Sequence, residues 1–221
     1  MKTLHELVDS TNKTWHILQD WLAQSKGDIK VEPALPKGAE HSLTQLQVST
    51  KSLLGTIIYH TGGIIVNHGS LRILGSGSKS LRNICDWNQI NENGVAKRLK
   101  GALLVADDIY GGFFAMNAGA FQGKRGNIFY LAPDTLEWED LEMEYSQFIN
   151  WTINGDVDRF YETMRWKNWQ DELKNINGFQ GLLIYPFLWA EGPAFEERMR
   201  KVVPIDELWA LTMDNFNRLS Q

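Results

Sequence analysis

Residues 101–119 read GALLVADDIYGGFFAMNAG, and this stretch does most to limit what the chain can fold into. Leu103, Leu104 and Val105 form a continuous apolar run. Asp107, Asp108, Ile109, Tyr110, Gly111 and Gly112 supply turn chemistry, and Phe113, Phe114, Ala115 and Met116 resume the apolar pattern. Two apolar runs of strand length joined by a Gly-bearing turn predict a hairpin of core strands. Nothing within it is a catalytic signature, so the stretch specifies architecture before activity.

On its N-terminal side, Leu4, Val8, Thr11, Trp15, Leu18 and Leu22 recur at three and four residues and predict one amphipathic helix over 3–24. Thr3 and Glu6 match a capping box at its start, and Gly27 is its stop. Residues 28–41 hold Pro33, Pro36 and Gly38 and read as a connector. Ser42 and Gln45 repeat the capping-box pattern. A second helix is therefore predicted through Leu43, Leu46, Thr50, Leu53, Ile57 and Ile58, ended by Gly62 and Gly63. Two short strands, 64–66 and 71–74, flank a turn at 67–70, followed by a loop at 75–78, a short helix at 81–87 and a turn at 91–94.

Beyond the hairpin, 127–131 reads as a third strand closed by Pro133 and Asp134. Residues 136–145 alternate, with one phase slip at Glu139 and Asp140 of the kind a β-bulge produces. Helical patterns cover 146–153, 156–164 with Asp156 as cap, and 166–176. Residues 182–188 form an apolar strand that Pro186 bends or confines to an edge. Residues 190–200 are polar and irregular, Val202 and Val203 before Pro204 are extended, and a last helix covers 205–219. Helices at both ends with meandering strands between define an α+β chain. It reads as a single domain over 1–221, with an N-terminal helix and connector (1–41), a core (42–165) and a C-terminal extension (166–221).

Composition narrows the class of function. With 43% apolar and 22% charged residues the chain can bury a sizeable core. Its formal net charge of -5 argues against a general nucleic-acid binder, which needs a basic face, and suits a basic partner. The single cysteine, Cys85, excludes an internal disulfide and suits a reducing compartment. The first residues, MKTLHELVDSTNKTW, lack the apolar region of a secretory signal, and no apolar run approaches the ~20 residues of a membrane helix. A cytoplasmic protein without membrane or nucleic-acid partners is expected.

The residues that invite chemistry have plainer readings beside them. The loop GSGSKS at 75–80 suggests a phosphate cradle, but the glycines of a Walker loop or dinucleotide fingerprint fall on Ser78, Ile73 and Ser80, so a flexible surface loop is expected. Asp107 and Asp108 read as a turn in which an Asp side chain bonds nearby backbone N–H groups; the alternative is a carboxylate pair for metal or acid/base work. His60 and His68 flank a strand without a zinc-binding pattern, and Cys85 reads as a small buried hydrophobe, so no metal or cofactor is expected. Glu137, Glu139, Asp140, Glu142 and Glu144 form an acidic strand face that either steers a basic partner or guards an edge against aggregation. Trp138, Trp151, Phe160, Tyr161, Trp166 and Trp169 read mostly as core, with interface anchors as the alternative.

The chain is similar to the bacterial family of proteins of unknown function numbered 2625, over nearly its whole length from LHELVDSTNKTW to the last helix. Within it, GGIIVNHGSLRILGSG, LLVADDIYGGFFAMNAG and IFYLAPDTLEWEDLEMEYSQFINW resemble, in that order, the SUKH superfamily. There the acidic turn is Asp107 and Asp108 with Gly111, and the closing helix contains Phe148; residues 42–165 are the SUKH-like part. The resemblance implies an α+β fold with a mainly antiparallel central sheet and terminal helices packed around it. It also implies immunity proteins that bind and neutralise bacterial toxins, and it carries no catalytic residues.

The expected function is a non-catalytic protein-binding module, an immunity factor whose acidic strand meets a basic toxin surface. The alternative is a small-ligand binder or enzyme with a pocket near His68, Ser70, Asp107, Asp108 and Tyr110. A homo-oligomer with a structural role is the third reading.

Overall fold

The computed structural model describes residues 1–219; Ser220 and Gln221, the end of the expected C-terminal extension, lie outside it. The N-terminal helical pattern is split into α1 (Leu4–Leu7) and α2 (Lys13–Gln24). The capping box of Thr3 and Glu6 starts α1 as expected. The break has a chemical cause. Asp9 accepts the Thr11 hydroxyl at 2.7 Å, Thr50 Oγ1 accepts the Asp9 N–H at 2.7 Å, and Asn12 takes a left-handed φ of 51°. Short polar side chains here offer the backbone partners that a continuous helix would forgo.

Residues 28–41 are not a connector. They hold β1 (Ile29–Pro33) and the start of α3 (Pro36–Leu46), with Pro36 in the first turn, where its missing N–H is harmless. The predicted second helix is interrupted as well. Ser42 lies inside α3, and Ser52 is the cap of α4 (Leu53–His60), accepting the Gly55 N–H at 3.2 Å. Gly62 and Gly63 belong to β2 (Thr61–Val66), which runs antiparallel to β3 (Leu71–Leu74).

After α5 (Ile84–Asn88) come β4 (Ala102–Asp108) and β5 (Phe113–Asn117), the two strands of the expected hairpin. They are followed by β6 (Asn127–Leu131) and β7 (Trp138–Glu144). The seven strands form one antiparallel meander in sequence order, so β4 is the central strand and β7 an edge. The β6–β7 register slips between Asp140 and Glu144, around Glu142 with its φ of 54°, rather than at Glu139 and Asp140.

The chain then runs through α6 (Tyr145–Asn154), α7 (Val157–Phe160) and α8 (Trp169–Leu173) to a two-stranded ribbon, β8 (Gln180–Tyr185) with β9 (Met199–Pro204), and ends on α9 (Ile205–Leu219). Asp156 caps α7 as expected, accepting the Arg159 N–H at 2.9 Å. The helical patterns at 156–164 and 166–176 are shorter in the fold, because Arg165 is extended and Asn168 left-handed.

Adjacent strand residues point to opposite faces, and two phenylalanines show what covers each face. Phe113 meets Trp209 of α9 at a ring distance of 4.8 Å, whereas Phe114 meets Phe148 of α6 at 5.1 Å. The sheet is therefore sandwiched, which explains why its inner strands read as continuous apolar runs.

The serine–glycine loop is packed, not a flexible surface loop. Ser76 and Gly77 are buried, and the Ser78 hydroxyl donates to Glu32 Oε2 at 2.9 Å while accepting the N–H groups of Ser80 and Leu81. The protein's own carboxylate thus occupies the place a phosphate reading would assign to an anion. The glycines allow two backbones to touch: a Cβ on Gly62 would lie 2.7 Å from Gly77 O and 2.8 Å from Pro33 O. Gly62→Ala is expected to lower stability by about 1–3 kcal/mol, the usual range for overpacking. An unchanged urea midpoint would show that these backbones give way freely.

Candidate functional site

The two aspartates at the hairpin turn are completely buried and face opposite ways. Asp107 lies on the side covered by the C-terminal segment. Its register partner on β3 is Arg72, and its carboxylate pairs with both Arg72 and Arg82. Each arginine also donates to backbone carbonyls: Arg72 to Gln180 at 2.5 Å and to Asp108 at 2.9 Å, Arg82 to Gly178. Burial lowers the Arg82 pKa to about 10 against the opposing pull of Asp107. Two cations held by one carboxylate thus clamp the C-terminal segment onto the sheet.

Asp108 faces the α6–α7 side and has no guanidinium against its carboxylate. Oδ1 accepts the N–H groups of Tyr110 and Gly112 at 2.9 and 2.8 Å, and Oδ2 accepts the hydroxyls of Tyr130 at 2.7 Å and Tyr161 at 3.4 Å. Burial raises its pKa to about 6, opposed by the Tyr130 hydroxyl and the Gly112 N–H. Burial likewise pushes the Tyr130 and Tyr161 hydroxyls well above their ordinary value. The Tyr110 hydroxyl accepts from Arg165 at 2.6 Å, and the same guanidinium donates to Ser70 at 2.8 Å and to Asn67 at 2.7 Å.

Ser70, Asp107, Asp108 and Tyr110 are therefore interior groups with protein partners, and the structure does not gather them with His68 around one opening. His68 borders a polar cleft of about 640 Å³ together with Asp28, Asn67, Asp156 and Asp158. Asp28 Oδ2 accepts the His68 backbone N–H at 3.0 Å and lies 3.4 Å from its Nδ1. Among the described residues, no three His, Cys, Asp or Glu side chains gather to hold a metal ion.

The acidic strand is laid out on the surface. Glu137, Glu139, Glu142 and Glu144 are exposed along the β7 edge, and Asp140 is half-buried. Three of the five have local partners, Glu139 among them, whose carboxylate accepts the Thr135 hydroxyl at 3.4 Å. Asp140 accepts the Asn127 amide at 3.0 Å and the Glu142 N–H at 2.8 Å, while Glu144 pairs with Lys124 at 2.6 Å and caps α6. Lys124 holds the Glu144 pKa below the ordinary carboxylate value. Glu137, Glu139 and Glu142 are directed to solvent. Of the aromatic set, Tyr161 and Trp166 are buried and the other four pack partly against the core.

Sequence reasoning missed Arg72, Arg82, Arg165 and Tyr130, and read Tyr161 only as one of the aromatic set. One signal was present: Arg72 stands alone inside the apolar run LRIL, and a buried cation requires a counter-charge.

The family model for the protein of unknown function DUF2625 matches residues 4–208. The chain belongs to that family. It is 39% identical over 212 residues to the uncharacterized protein YbfG of Escherichia coli (strain K12), covering 96% of this chain and 95% of the relative. It is 38% identical over 211 residues to an uncharacterized protein of Haemophilus influenzae (strain Rd), covering 93% and 91%. Among the described residues, no helix of this DUF2625 protein is long and apolar enough to cross a membrane.

Proposed function

We propose that this DUF2625 protein is a non-catalytic, cytoplasmic protein-binding module whose acidic β7 edge receives a basic partner. The observation that carries the reading is the exposure of Glu139 and Glu142 on the edge strand of the sheet and of Glu137 just before it. A row of like charges at a sheet edge steers an oppositely charged surface and fixes its register. The SUKH resemblance supports an immunity setting in which the partner is a basic toxin domain. Cys85 is in keeping with a reducing compartment: it is buried, and burial pushes its thiol up to about 11.

Reversing Glu137, Glu139 and Glu142 to lysine leaves the internal bonds of Asp140 and Glu144 untouched. The triple variant is expected to bind a polylysine probe about tenfold more weakly at low salt, roughly 1.4 kcal/mol, with the gap closing as salt rises. Equal affinities at low salt would sink the reading.

A further inference from the structure

The backbone of β7 has an open side. Ala132 donates its N–H to the Glu137 carbonyl at 3.2 Å. The register then continues in step, with Leu131 opposite Trp138, Tyr130 opposite Glu139 and Phe129 opposite Asp140. Bonded and non-bonded pairs alternate along an antiparallel ladder. Glu137 and Glu139 therefore turn their N–H and C=O groups toward β6, and Trp138 and Asp140 turn theirs away from it. No strand of the sheet lies on that far side. The open stretch ends at Glu142, which has a left-handed φ of 54° and gives its N–H to Asp140 Oδ1 at 2.8 Å.

The charge along this edge is unopposed in space. The cross-strand neighbours Leu131, Tyr130 and Phe129 carry none. Among the described residues, no Lys, Arg or His nitrogen comes within 4 Å of the carboxylates of Glu137, Glu139 or Glu142. The opposite edge of the sheet, β1, is not equivalent. Its Lys30 pairs with Glu32 at 2.7 Å, and Pro33 at its end has no N–H to give.

We propose that β7 takes up an extended basic segment of the partner protein as an eighth, antiparallel strand, alongside residues 137–141. The inference rests on the reading of β7 as a receptor for a basic partner. It adds what charge alone lacks, main-chain hydrogen bonds that fix direction and register. Residues directly opposite one another share a face of the sheet. The incoming segment therefore carries lysine or arginine opposite Glu137 and Glu139, and an apolar residue between them, opposite Trp138. The same row of carboxylates repels a second β7, so the edge accepts a strand of one sign and refuses its own copy.

The test uses the acetylated and amidated peptide Lys-Val-Lys-Val-Lys and two isomers of it, each with two N-methyl groups, on valine amides in one and on lysine amides in the other. In the antiparallel arrangement the valine N–H groups face β7 and the lysine N–H groups face solvent. The isomers are equal in charge and mass. Binding to the full-length protein is followed at low salt by amide NMR. The valine-methylated isomer is expected to bind at least about tenfold more weakly than the lysine-methylated one, the effect of two lost backbone hydrogen bonds. Saturation with the parent peptide is expected to slow hydrogen exchange at Trp138 and Asp140 at least about tenfold.

Equal binding of the two isomers overturns the proposal, as does weaker binding of the lysine-methylated one. Absence of binding by the parent peptide also overturns it, and the polylysine measurement then judges the acidic edge by itself. Protection of Trp138 and Asp140 that grows with protein concentration alone puts β9 of a second copy, with its Arg200 and Lys201, on this edge and is equally fatal. The triple lysine variant separates the two readings. Isomers that bind alike to wild type and lose affinity together for the variant leave the acidic edge standing and remove the added strand. A valine-specific loss that persists in the variant at unchanged parent affinity does the reverse.

Discussion

Asp107→Ala is expected to destabilise the protein by about 3–5 kcal/mol, the usual consequence of removing one partner from a buried ion pair. The effect belongs at the upper end of that range, because two guanidiniums lose their counter-charge together. Arg72 is 2% exposed and Arg82 5%, so neither can turn to water without unpacking the C-terminal segment. Such a loss approaches the whole stability of an ordinary domain. The variant should therefore unfold at markedly lower urea, and its C-terminal segment should be cut first by protease. Asp107→Asn is the milder control, since it keeps the shape and loses the charge. A shift of under about 0.5 kcal/mol for the alanine variant, the level of an ordinary surface change, would mean that Asp107 is not the counter-charge the geometry makes it.

Asp108 leads to the opposite expectation on acidification. Its folded-state pKa, near 6, is raised from an ordinary value of 3.8. The folded protein therefore holds this proton more tightly than the unfolded chain does. Asp108 favours the fold fully below about pH 4, and that benefit disappears as pH rises through about 6, by roughly 2–3 kcal/mol in all. Carboxylates with lowered pKa, such as Glu32 beside Lys30, act in the other direction below their unfolded values. Total stability therefore hides the effect, and a comparison with Asp108→Asn reveals it. The amide cannot titrate, yet its oxygen can still accept the N–H groups of Tyr110 and Gly112. Wild type minus variant should fall by about 2 kcal/mol between pH 4.5 and pH 7.5. Parallel stability curves would show that Asp108 is not responsible.

What could be read from the chain follows from the range of each interaction. The β4–β5 hairpin was legible because its apolar runs and Gly-bearing turn are local. So was the local part of Asp108's role, an Asp side chain satisfying N–H groups two and four residues ahead. Its tyrosine partners were not, since Tyr130 lies on β6 and Tyr161 just past α7, outside any local pattern. Asp107 was harder still. Its partners come from β3, by strand register, and from the segment before α5, by the packing of that segment. The helices went wrong for a short-range reason: periodicity continued through Asp9, whose carboxylate accepts the Thr11 N–H and hydroxyl, and through Gln47, whose left-handed φ of 53° ends α3. β1 was hidden by Pro33 at its end and Pro36 just beyond it, which mark a connector when counted but close an edge strand and open a helix when placed. The exposure of Glu137, Glu139 and Glu142 was readable from alternation alone, but which backbone groups of β7 face away from β6 follows from the register, which left no trace in spacing.

The clamp on the C-terminal segment also bears on how the molecule comes into being. Arg72 and Arg82 emerge from the ribosome well before Gly178 and Gln180, whose carbonyls they need. The strands of the sheet are thus synthesised long before its second face has a cover. Until then two guanidiniums must stay hydrated on a surface destined to be dry. Closure of the sheet is a late event in synthesis, and the last quarter of the chain completes the domain rather than decorating it.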